Sequence, residues 1–211
     1  MTSVHGSIKA GCEALKEGKY NKRGSHMREE QIENLQGLAR MITQKNIVDA
    51  EIAQIIERPA ERGHAGEYIA SRIFNIELEK SASTRSIDGH FTSENLTGRT
   101  VNIKWYGKQE NILDICKEDG PDFYLVMTGP KSVSPSSRGT TRPWLISYVF
   151  LFDSAKLIQD LKSVKQGIAT SVKKRLWEMA EIYPEPRNSQ LILTMEQQRL
   201  LESFGESLSL L

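Results

Sequence analysis

Ser86-Ile-Asp-Gly-His-Phe91 and Thr100-Val-Asn-Ile-Lys-Trp-Tyr106 decide how this chain is read, together with the connector Thr92-Ser-Glu-Asn-Leu-Thr-Gly98 between them. Both flanking runs carry β-branched and aromatic residues, and the connector is turn chemistry, so the pair predicts two strands of a hairpin. The second strand has a period of two. Val101, Ile103 and Trp105 point one way, and Asn102, Lys104 and Tyr106 the other. A lysine in an otherwise apolar strand needs a partner, because a buried ammonium is costly when unpaired. Pairing the strands brings Asp88, at the end of the first, near the face that carries Asn102 and Lys104.

Upstream, Gly63 opens a predicted helix with Ile69, Ala70, Ile73 and Phe74 on one side and Glu67 at the edge of that stripe. Before it, Ile32, Leu35, Leu38, Ala39 and Ile42 repeat at helical spacing, and Asp49 can cap a second helix that stops before Pro59. The two helices read as a packed hairpin in preference to a helix-turn-helix. Downstream, Gln109 to Lys117 is expected as a short helix, Phe123 to Thr128 as a strand buried on both faces, and Trp144 to Phe152 as the longest apolar strand. Ser132 to Pro143 reads as a loop. Ser154 is expected to cap a helix, Ile168 to Ile182 to form another closed by Pro184, and Thr194 with Gln197 to make a capping box for a last one. Helices, then strands, then helices imply an α/β (or α+β) class with one mixed central sheet of about four strands.

Of the 211 residues, 38% are hydrophobic and 26% charged, enough to bury a core and too ordered a composition for wholesale disorder. No apolar run approaches the roughly 20 residues of a membrane span, and Met1 to Tyr20 lacks the apolar centre of a secretory signal, so a cytoplasmic protein without membrane partners is expected. Cys12 and Cys116 are too few for a disulfide framework or a zinc site. Gly24-Ser-His-Met27 looks like the scar of a cleaved tag, so residues 1–27 are read as a leader or an appended cloning segment. The expected domain is then 28–211, with a helical part 28–58, a core 63–153 and a helical part 154–211. Five basic and two acidic residues lie in 1–27, which turns the overall net charge of +1 into −2 for the remainder. Any nucleic-acid binding must therefore come from a local patch.

Gly-x-Ser-x-Gly, His-Glu-x-x-His, Gly-x-Gly-x-x-Gly and Cys-x-x-Cys are absent. Gly129-Pro130-Lys131-Ser132 mimics the end of a phosphate loop, but the upstream glycine is missing and Pro130 removes an N–H. What remains is Glu67, Asp88 and Lys104. Carboxylates hold Mg²⁺ through oxygen, the metal polarises a phosphoryl oxygen and acidifies a water, and a lysine stabilises the developing charge.

With Glu on a helix, Asp on a strand and x-x-Lys on the next, the segment from Gly63 to about Asp153 resembles the PD-(D/E)xK nuclease superfamily. Ile87 replaces the motif's proline. Asn102 stands where the superfamily usually has Glu or Asp, although some of its modification-dependent restriction enzymes carry an amide, Gln, there. Arg62-Gly-His-Ala-Gly-Glu67, Ser86-Ile-Asp-Gly89 and Thr100 to Tyr106 also look like a small microbial family of unassigned function. The resemblance implies a restriction-endonuclease-like fold and cleavage of nucleic-acid phosphodiesters, DNA above all, with Mg²⁺ or Mn²⁺. It implies Asp88 and Glu67 as metal ligands, Lys104 as the residue acting on the water or transition state, and Asn102 as aligning a water. Tyr106, Lys108, His90, Arg138 and Arg142 are the expected nucleic-acid contacts, with His64 and Lys131 as further candidates and a hydrogen-bonded structural role preferred for both histidines. Two other readings stay open: a catalytically inactive module of the same fold that binds nucleic acid or a protein, and an unrelated α+β interaction protein. A homodimer is left open.

Overall fold

The computed structural model describes residues 22–80, 86–116, 120–131, 143–161 and 167–205. It divides into two compact units, Met1–Val48 and Asp49–Leu211. Helix α1 (Lys22–Ile56) crosses that division. One continuous helix thus replaces the expected hairpin of two. Asp49 lies inside it rather than capping a new helix, and the turn falls at Glu57, whose φ of 54° ends the helix ahead of Pro59. The helix also runs through Gly24 to Met27.

Helix α2 (Arg62–Ile73) follows, then strands β1 (Ile76–Leu78), β2 (Gly89–Phe91) and β3 (Thr100–Tyr106). After these come β4 (Ile112–Leu113), β5 (Phe123–Thr128), β6 (Tyr148–Asp153), α3 (Ser154–Asp160), β7 (Thr170–Ser171), α4 (Lys174–Ala180), β8 (Glu181–Tyr183) and α5 (Met195–Glu202). The main sheet has six strands in the order β1-β2-β3-β5-β6-β8, not about four. Among the described strands of this sheet only β3 and β5 pair in parallel, so the sheet is mixed and the class is α/β. No helix among the described residues is long and apolar enough to cross a membrane.

Strand β5 is buried along its whole length because the sheet is covered on both faces. Phe123, Leu125 and Met127 join Val101, Ile103 and Trp105 in a core that includes Ala70 and Ile73 of α2 and Leu201 of α5. Tyr124 and Val126 join Phe150, Phe152, Leu157 of α3 and Trp177 of α4 on the other face. The expected alternation of β3 holds. The Thr194–Gln197 capping box forms, and the same Gln197 amide donates to the Ile73 carbonyl at 2.6 Å, fastening α5 to the end of α2.

Three downstream expectations are corrected. Gln109 to Cys116, the described part of the expected Gln109 to Lys117 helix, holds the short strand β4 instead, since Asn111 takes a left-handed φ of 57°. Ile168 to Ile182 is divided among β7, α4 and β8, since Ala169 (φ 57°) breaks the chain and Thr170 pairs with Leu113. Asp153, not Ser154, caps α3 by accepting the Lys156 N–H at 3.0 Å. The sixth strand also starts later than expected, at Tyr148.

Candidate active site

Three elements meet around Asp88. The first is the end of β2. Gly89 is the first residue of that strand, and a Cβ there would collide with the Glu77 carbonyl oxygen of β1. The glycine of Asp88-Gly89 therefore serves a close strand approach rather than a turn. Two residues earlier, Ser86 holds a left-handed φ of 81°, which swings the chain into the strand at a cost that a non-glycine residue seldom bears. The second element is β3. The Ile103 N–H donates to Asp88 Oδ2 at 2.6 Å, so a carboxylate takes the place of a strand partner where β2 leaves the sheet. The third is α2. A Cβ on Gly66 would lie 3.1 Å from Trp105 Cβ, so the helix is laid closely against β3, and the next residue is Glu67.

The electrostatics of Asp88 tie these pieces together. Burial is the main influence and raises its carboxyl above the ordinary carboxylate range. The Ile103 N–H opposes that, Glu67 adds to it as a like charge, and Lys104 and then Arg58 oppose it. Glu67, Lys104 and Arg58 thus all act electrostatically on one carboxylate. Arg58 forms an ion pair through Nη1 with Glu67 Oε2. Asn102 is 3% exposed, and its Oδ1 is buried without a hydrogen-bond partner among the described residues. Such an orphaned amide oxygen costs about 1–3 kcal/mol unless something accepts its lone pairs.

The candidate donor set is the carboxylates of Asp88 and Glu67 with the amide oxygen of Asn102 on β3. It contains no thiolate or imidazole, which suits a hard divalent cation such as Mg²⁺ or Mn²⁺ and not zinc. Among the described residues no group of three or more His, Cys, Asp or Glu forms a metal cluster. A site of this composition rests on the amide of Asn102 as its third oxygen.

The other sequence candidates are placed as follows. Tyr106, expected at a phosphate backbone, is instead committed to Asp114: its hydroxyl donates to Oδ2 and accepts the Asp114 N–H, both at 3.1 Å. Burial pushes its phenol well up. His90 faces Glu77 at 3.3 Å and Glu79 at 3.9 Å, surroundings that repel a phosphate. His64 Nδ1 lies 3.0 Å from the Pro59 carbonyl, in the structural role preferred for it. Lys131 has its ammonium 4.2 Å from the centre of the Tyr148 ring. Lys108 lines a cavity of about 130 Å³ beside Arg62, Trp105 and Glu110, at the C-terminal end of β3. Arg138 and Arg142 lie outside the described residues.

Sequence reasoning missed two features. One is Arg58, whose only signal was its position between a helix and Pro59. The other is the lock at the entry to β3, where Arg99 Nη2 meets Asp122 Oδ1 at 2.9 Å and Asp122 Oδ2 accepts Thr100 N–H and Oγ1–H at 2.8 and 2.9 Å. This lock joins the starts of the parallel strands β3 and β5. Compared with protein-family models and with curated proteins, the chain matches none.

Proposed function

We propose that this chain is a metal-dependent endonuclease with a restriction-endonuclease-like, PD-(D/E)xK-type core, hydrolysing nucleic-acid phosphodiesters with DNA as the expected substrate. The observation that carries this reading is that Glu67 and Lys104 both act electrostatically on Asp88, whose Oδ2 is held by the N–H of Ile103, the residue between Asn102 and Lys104 on β3.

Asp88 and Glu67 would hold Mg²⁺ or Mn²⁺, with Asn102 Oδ1 as a neutral third donor or as the acceptor that aligns a water. When bound, the cation supplies Lewis-acid polarisation of a phosphoryl oxygen and acidifies a water. The rest falls to the chain itself. The Ile103 N–H fixes the Asp88 carboxylate through Oδ2, so the ligand is oriented before any cation arrives. Lys104, on the Asn102 face of β3, places an ammonium where negative charge builds on the phosphate during attack. A preorganised charge of this kind lowers the barrier without reorganising at the moment of reaction. Lys108, just past the end of the same strand, and Arg62, at the start of α2, line one cavity and would be the candidates for contacts to the substrate backbone.

The test is cleavage of supercoiled plasmid and of single-stranded DNA and RNA, with Mg²⁺, with Mn²⁺ and with EDTA. Nicking that requires the metal and disappears in Lys104→Ala supports the reading. Nucleic-acid binding that is indifferent to metal, without cleavage, supports instead the inactive binding module, a second reading favoured by the uncharged Asn102.

A further inference from the structure

Resting on the metal-site reading above, we infer that Arg58 is a built-in counter-cation of Glu67 that must yield its place when the metal binds, so that this arginine sets the metal affinity of the site. Its guanidinium is paired with the carboxylate assigned to the metal and acts electrostatically on Asp88 as well. It therefore pairs directly with Glu67 and, together with Lys104, offsets part of the negative charge at Asp88.

The turn that carries it is built rather than incidental. Glu57 ends α1 in a left-handed conformation, and Pro59 restricts Arg58 to extended backbone. The Pro59 carbonyl then accepts the Glu61 N–H at 2.7 Å, and Ala65 N–H returns to the Glu61 carbonyl at 2.9 Å to start α2. Arg58 and Glu67 are thus presented to each other across a short, pinned connection. The arginine side chain is 44% exposed, against 22% for Glu67, so it has room to swing into solvent while the carboxylate stays in place.

The chemistry of the site gives this arrangement a purpose. Two carboxylates near one another repel, and burial already disfavours charge on Asp88. A resident cation keeps the pair compatible with folding before the metal arrives. The same cation must be displaced by the metal, because Glu67 Oε2 cannot serve both at full strength. Since Asn102 adds no charge, a two-carboxylate site has little affinity to spare, and the competition should set its working metal concentration.

The experiment is Mn²⁺ titration of the full-length protein, followed by electron paramagnetic resonance of free Mn²⁺, for wild type, Arg58→Gln and Arg58→Lys. Melting curves with and without Mn²⁺ accompany it. Arg58→Gln should bind Mn²⁺ about ten-fold or more tighter than wild type, melt lower without metal and recover with it. Arg58→Lys, which keeps the charge, should stay close to wild type. A site that loads only in Arg58→Gln supports the inference in its strongest form. Wild-type binding that is equalled or weakened in Arg58→Gln overturns the counter-cation role and leaves the metal site standing. No binding in any of the three proteins overturns both.

Discussion

The Ile103 N–H of β3 donates to Asp88 Oδ2 at 2.6 Å, where the backbone pairing of β2 has run out. One carboxylate thereby ends a strand, anchors its neighbour and stands half-buried within the electrostatic reach of a second acid, Glu67. Its pKa is raised by that burial, so the folded chain holds the Asp88 proton more firmly than the unfolded chain does. The sign follows: the folded state gains stability as pH falls through the raised value, and the ionised form costs stability at neutral pH.

Asp88→Asn is therefore expected to melt no lower than wild type at pH 7.5, and higher if the Ile103 N–H keeps its acceptor in the new amide. Metal binding should be lost in the same variant. Differential scanning calorimetry with and without Mn²⁺ checks both. A marked fall in melting temperature would mean that Asp88 is chiefly a structural carboxylate.

Asn102 offers a paired test. Asn102→Leu removes the orphaned oxygen with a side chain of similar length, which should be neutral or stabilising by about 1 kcal/mol, while weakening any metal bound there. Asn102→Asp adds a third carboxylate. It should tighten Mn²⁺ binding if the cleft holds a cation, and otherwise only destabilise through repulsion from Asp88 and Glu67. Calorimetric titration of the two variants separates these outcomes.

Lys104→Ala should lower metal-dependent cleavage by orders of magnitude, since one lost electrostatic contact to the transition state costs about 3–4 kcal/mol. Folding should survive, because Val101, Ile103 and Trp105 supply the packed face of β3. Single-turnover nicking at saturating Mg²⁺ measures this. Unchanged nicking would remove Lys104 from the chemistry.

Asp122 behaves in the opposite sense to Asp88. Its carboxyl lies below the ordinary range because Arg99 and Thr100 donate to it. Its contribution is fully present above the unfolded-state value and is lost as pH falls through the lowered one. Asp122→Asn should cost about 1–2 kcal/mol at pH 7, and should flatten the decline in stability below about pH 4. Urea unfolding across pH 2.5 to 7 would show the two curves converging in acid. Parallel curves would assign the lock no electrostatic share.

The sequence carried much of this arrangement. The period-two pattern of β3, the continuous apolar run of β5, the apolar face of α2 and the Thr194–Gln197 box all have local causes, and all appear in the fold. The misreadings have physical reasons. Ile32, Leu35, Leu38 and Ile42 repeat at helical spacing yet stand exposed along α1, so their periodicity carried no information about a packed helical pair. The left-handed residues Asn111 and Ala169 break two segments whose apolar content looked helical, and β4 and β7 are too short to show a period of their own. Strands β1 and β8 have three residues each and depend on neighbours distant in sequence. Of the candidate site residues, Glu67, Asn102 and Lys104 sit on elements with a clear pattern and Asp88 just ahead of β2, which is why the sequence could single them out. Arg58 was not singled out, because it lies in a turn, where spacing predicts no partner.

The anomalous difference density of a crystal grown with Mn²⁺ decides whether Asp88 and Glu67 share a cation. One strong peak is expected, bound by carboxylate oxygens of both Asp88 and Glu67 at direct coordination distance, about 2 Å, with Asn102 Oδ1 facing it and Arg58 turned away. Saturating Mn²⁺ that leaves this cleft without a peak, and the Arg58–Glu67 pair intact, would contradict a shared site.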